Sequence, residues 1–327
     1  MGNGHFAERR EASAPTLAPV PADRIKPAIR WFRGLSEIVD GYSGALVLAS
    51  GDDDGLRDAI VGCALYSRAP HRVRIVDPAV ARTEAPTCFF NPFGSGSPET
   101  VRAMLEALIG NSQISADEAV LRERALVLVR SLVPILVGLR DRDICYLNLR
   151  TVCDSLGYDW ICRLLDDGKI LSRGDGSSYE LDVRGRVSEA VTAPLRQYRN
   201  ELPGYDPTRP WQDQIGREAE RQLDYVHFCT KTLLRNLDIL TSFRRHSLQR
   251  IVDTTEVVRR SLLLVVRLSS AEFSPAAIAS MATFLTRCFE AVAEAAQIGP
   301  FPVLIDAKLS DMVGTLRAGA PINPTIV

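Results

Sequence analysis

The sequence predicts an α/β fold, a parallel sheet interrupted by a large all-α insertion, and three observations carry that expectation. First, a short apolar run, Ala45–Ala49, leads at once into a Gly/Asp-rich turn, an amphipathic segment and a second apolar run, Val73–Val76. That order is strand, loop, helix, strand, with the loop where a phosphate-binding loop would sit. Second, residues 98–258 read almost wholly as helix. Third, continuous apolar runs return at Ser261–Leu268 and Pro302–Ile305, as expected of strands buried on both faces of a parallel sheet. The chain therefore reads β-α-β, helical insertion, β-α-β.

Residues 1–24 are polar with repeated Ala-Pro steps and read as disordered. Apolar positions from Ile29 to Val39 recur at near-helical spacing, and Gly41 would end that helix. Strand 45–49, helix 56–66 and strand 72–76 follow, then a loop over 78–97 carrying Phe89-Phe90-Asn91-Pro92-Phe93-Gly94. Helices are expected at 98–110, 116–140, 149–157, 159–167, 184–201, 211–245 and 247–258. Gly174-Asp175-Gly176, between Ile170-Leu171 and Tyr179-Glu180-Leu181, supplies the turn of a short hairpin. Leu202 to Pro207 breaks the helical run. After strand 261–268, Ser274-Pro275 opens a helix as an N-cap followed by proline, and Gly299-Pro300 closes it near Gln297. The last strand is Pro302 to Asp306, beyond which no regular element is expected. In domain terms, 25–97 and 259–327 form the α/β core and 98–258 the insertion.

Composition excludes several classes. The 327 residues carry a net charge of −1, 46% hydrophobic and 24% charged residues, an ordinary globular balance without a bias toward nucleic acid or anionic membrane. The seven cysteines form no C-x-x-C pair and the four histidines no metal-ligand spacing, so neither a metal site nor a disulfide framework is expected. No apolar run approaches a membrane span, and the N-terminus lacks the apolar centre of a signal peptide. The expected location is cytoplasmic, with membrane association only through partners.

The loop after the first strand is the main functional clue. A working phosphate loop, G-x-x-x-x-G-K-[ST], cradles phosphates with backbone N–H groups, neutralises them with lysine and holds magnesium by a hydroxyl. Here the stretch is Ser50-Gly51-Asp52-Asp53-Asp54-Gly55-Leu56-Arg57. Gly55 keeps the second glycine, Leu56 replaces lysine and Arg57 replaces Ser/Thr. Three aspartates stand where an anion would approach, and like charges at such range repel strongly in a partly desolvated site. Asp306 ends a strand where such an ATPase places its magnesium-holding carboxylate, but Ala307 stands where the catalytic glutamate would follow. Ser50, Gly51, Gly55, Leu56, Arg57 and Asp306 are thus read as relic nucleotide-binding positions, the alternatives being an ordinary βα turn whose acids complement the helix dipole and, for Asp306, a turn or cap after the strand. No catalytic residue, cofactor or metal is assigned. Segment 141–182, two short helices and a hairpin, also has the outline of a winged helix. It holds ten Arg/Lys and ten Asp/Glu over 140–199, poor support for a phosphate-binding face.

Several stretches resemble type IV secretion coupling proteins, most closely the Dot/Icm and I-type conjugation subgroup. They are Phe89 to Phe93 with Glu99 to Gly110, Ser131 to Asp141, Leu202 to Asp206, and Asp253 to Pro275. The resemblance covers about 44–310. It implies a partial RecA-like, P-loop-NTPase-like core with the family's all-α domain. The family's members are membrane-anchored hexameric ATPases that recruit DNA–relaxase complexes or effector proteins to a secretion channel. This chain departs from them in the phosphate loop, in Ala307, in lacking N-terminal membrane helices and in ending soon after Asp306. The expected function is a non-catalytic coupling-protein-like adaptor or assembly component. Its expected partners are secretion-system subunits, a coupling ATPase or a protein substrate, with neither nucleic acid nor membrane insertion. The alternatives are an active ATPase with a non-standard phosphate loop and a DNA-binding regulator built on 141–182.

Overall fold

A computed structural model describes residues 44–50, 72–76, 89–110, 116–174, 177–214, 217–224, 227, 251–268, 273–298, 301–305, 309 and 325–326. Five strands form one all-parallel sheet: β1 (Ala45–Ser50), β2 (Val73–Val76), β7 (Leu263–Leu268), β8 (Val303–Ile305) and β9 (Thr325–Ile326), in the spatial order β2-β7-β1-β8-β9. The apolar runs dictate this. Residues 45–49 and all of β7 but Arg267 are buried, the pattern of strands covered on both faces. Parallel pairing requires each connection to cross over the sheet, and the first two strands do not pair with each other. β7, which follows the insertion, is laid between them. The start of β1 needs a glycine: Gly44 has φ +155°, and a Cβ there would stand 2.9 Å from the Leu262 carbonyl oxygen.

Helix α7 (Pro275–Ala295) packs beside β1, and its Ser274 hydroxyl accepts from the Ala277 N–H with Pro275 in the first turn, as the sequence predicts. Against α7 packs α1 (Pro98–Gly110), which in turn packs on α2 (Ala116–Arg140). The core lies between these helices and one sheet face. Leu46, Leu48, Leu264 and Val266 meet a file of phenylalanines there. Phe289 stacks on Phe301 at 4.9 Å between ring centroids and on Phe90 at 6.3 Å, and Phe93 meets Phe284 edge-on at 6.4 Å. Each such ring buried contributes about 1.5–3 kcal/mol.

The chain leaves the sheet through β3 (Phe89–Phe90) and returns through β6 (Ile251–Val252), which lie side by side in parallel. Between them, after α2, come α3 (Leu149–Ser155), α4 (Tyr158–Cys162), the hairpin β4 (Lys169–Gly174) and β5 (Ser177–Asp182), and α5 (Glu189–Asn200). α6 (Thr254–Arg259) follows β6.

Several sequence expectations need correction. The helix expected over 247–258 is a strand at 251–252 and a helix from 254, because the Asp253 carboxylate caps the new helix by accepting from the Glu256 N–H. The helix expected over 184–201 starts at Glu189, since Arg184–Arg186 form a turn with Gly185 at φ +68°. The helix expected over 159–167 ends in a π-helical turn, Arg163–Asp167, closed by Gly168 in the left-handed region. The helix expected from 211 is a single 3₁₀ turn, Trp211–Asp213, followed by a helix through 218–224. The tail, expected to hold no element, supplies β9. The predicted disordered segment 1–24, the helices at 25–39 and 56–66, and all of 228–250 lie outside the described residues.

Candidate functional site

In a parallel sheet all carboxyl ends share one edge, and ligands of open α/β sheets bind along it. β1 is central, flanked by β7 and β8. Ser50, the last residue of β1, pairs with Leu268, the last of β7. Ile305, the last residue of β8, pairs with Leu48. The strands leading into the expected loop and into Asp306 are therefore direct neighbours. Gly51, Gly55, Leu56, Arg57 and Asp306 themselves lie outside the described residues. The sequence missed that β7 is the other neighbour of β1, because nothing in a run of apolar residues states which strand lies beside it.

Where the insertion joins the core, the described side chains form a dense polar hub, and Asn91 is its centre. It is fully buried. Its amide nitrogen donates to the Tyr146 hydroxyl at 2.9 Å and to the Leu147 carbonyl at 2.8 Å. Its side-chain oxygen accepts from the Phe93 N–H, and its backbone N–H donates to the Val252 carbonyl. One residue thus ties the outgoing chain, the returning chain and the loop after α2. Arg140, at the end of α2, donates to the Phe93 and Gly96 carbonyls at 2.9 and 2.6 Å and pairs with Asp141. The Ser95 hydroxyl donates to the capping carboxylate of Asp253 at 2.7 Å. Burial pushes the Tyr146 hydroxyl up to about 12 and the nearby Cys145 thiol up to about 11, so both stay protonated at neutral pH. The signal for Asn91 was present: a lone amide inside Phe-Phe-Asn-Pro-Phe must find buried partners.

A second cluster holds the insertion together. Arg199, 4% exposed, reaches Asp166 at 2.6 Å and lies 4.8 Å from the centre of the Tyr205 ring. Burial works against its charge, yet the Asp166 hydrogen bond prevails and holds the guanidinium protonated above its usual range. The Leu202–Asp206 stretch is thereby fixed on α5 and the π turn. Asp206 accepts from the Thr208 hydroxyl and backbone and from Arg209, which hold its carboxyl below the usual range.

The winged-helix outline is present in chain order, but its faces do not suit DNA. On 158–167, Tyr158, Trp160, Ile161, Cys162, Leu164 and Leu165 are buried, and the exposed residues are Asp159 and Asp166. Arg163 and Lys169, which could face phosphate, are paired with Glu180. A phosphate backbone would meet acid there. Among the described residues no group of three or more His, Cys, Asp or Glu could hold a metal, and no helix is long and apolar enough to cross a membrane.

No family model matches the chain. The type 4 coupling protein DotL of Legionella pneumophila is 27% identical over 205 residues, which is 62% of this chain and 25% of that protein. The chain thus spans about a quarter of the length of this curated relative. Among solved structures, the bacterial conjugative coupling protein TrwBdeltaN70 aligns at a TM-score of 0.45 and 11% identity, over 93% of this chain and 60% of that one. Over those 205 residues the chain is similar in sequence to a type 4 coupling protein.

Proposed function

We propose that this chain is a non-catalytic adaptor or assembly component of a type IV secretion or conjugation system. The insertion, residues 98–258, binds a protein partner or substrate, and the α/β core docks on other secretion subunits or on a coupling ATPase. The observation that carries the reading is the chemistry at the head of the central strand. β1 leads into a loop with Leu56 and Arg57 in place of Lys and Ser/Thr, behind three aspartates. Relatedness to a type 4 coupling protein supplies the context. The loop is a relic, and the polar hub keeps the insertion in place for binding.

Affinity purification of the tagged chain from its host after mild crosslinking tests this. The reading expects secretion subunits or a coupling ATPase in the eluate. A stable monomer accompanied by no secretion component sinks it.

The β1–β8 pairing gives one specific observation in favour of a second reading, an active ATPase that uses Arg57 and Asp306. Magnesium-dependent ATP turnover lost on Asp306→Ala would establish that alternative.

A further inference from the structure

We draw no further inference here: the strongest candidate, the cavity of about 340 Å³ beside the polar hub, bounded by Gly94, Arg140, Asp141, Asp143 and Tyr146, rests on two exposed carboxylates, that of Asp141 already paired with Arg140, and none of its described lining residues carries a buried polar atom without a partner to show what would fill it.

Discussion

The sheet and the hub are built on opposite principles. In the sheet, specificity resides in apolar area: β1 and β7 are continuous hydrophobic runs whose side chains are nearly all buried. At the hub, a few polar atoms decide the geometry. Asn91, Arg140 and Asp253 each satisfy several partners in segments far apart in sequence. An apolar sheet tolerates substitution in the loops at its edge, because its stability resides in buried apolar area. A buried polar junction does not, since one lost atom leaves its partners unsatisfied.

The largest expected effect tests the apolar half. Phe289→Ala removes a fully buried ring stacked between Phe90 and Phe301 and should destabilise the fold by about 3–5 kcal/mol in denaturant titration. Next comes the polar half. Asn91→Ala leaves the Leu147 carbonyl and the Phe93 N–H without their partner and should cost about 2–4 kcal/mol. A cost below about 0.5 kcal/mol, the level of an ordinary surface change, would break the comparison.

A smaller effect sharpens it within the insertion. The Asp206 carboxyl is held below its ordinary value by the Thr208 hydroxyl and backbone, and that of Glu180 by Lys169. A carboxylate with a depressed folded pKa stabilises the fold above its unfolded value. That stability disappears as the pH falls below the ordinary values, 3.8 for Asp206 and 4.5 for Glu180, and through the folded ones. The double variant Asp206→Asn, Glu180→Gln should therefore melt with a flatter pH dependence between about pH 5 and 2 than the unaltered chain. Identical profiles would show that these contacts are not formed in solution.

The smallest effect concerns reactivity. Burial raises the Cys145 and Cys162 thiols to about 11 and that of Cys288 well above its ordinary range. Iodoacetamide at pH 8 should leave all three unmodified in the native protein, as peptide mapping would read, since the thiolate is the reactive form.

Much of this architecture was legible in the sequence for physical reasons. Long apolar runs name buried strands, and Ser274-Pro275 names a helix start, because both signals are local. β9 was not legible, since two residues make no pattern. The strand at 251–252 was hidden because Ile251-Val252 suits a helix equally, and only pairing with Phe89-Phe90 decides it. The neighbours of β1 could not be read either, because pairing is a non-local choice. For the candidate site, the sequence named Ser50 and the residues beyond it from motif spacing. It passed over Asn91, whose role arises only when distant segments meet.

The measurement that bears most directly on the account is magnesium-dependent ATP turnover by the purified chain, alone and with whatever secretion subunits it captures. The account predicts that the chain alone gives no turnover above a protein-free blank. It also predicts that Asp306→Ala leaves the rate of any captured ATPase unchanged. Turnover by the chain alone that disappears on Asp306→Ala would contradict it and make this protein an ATPase.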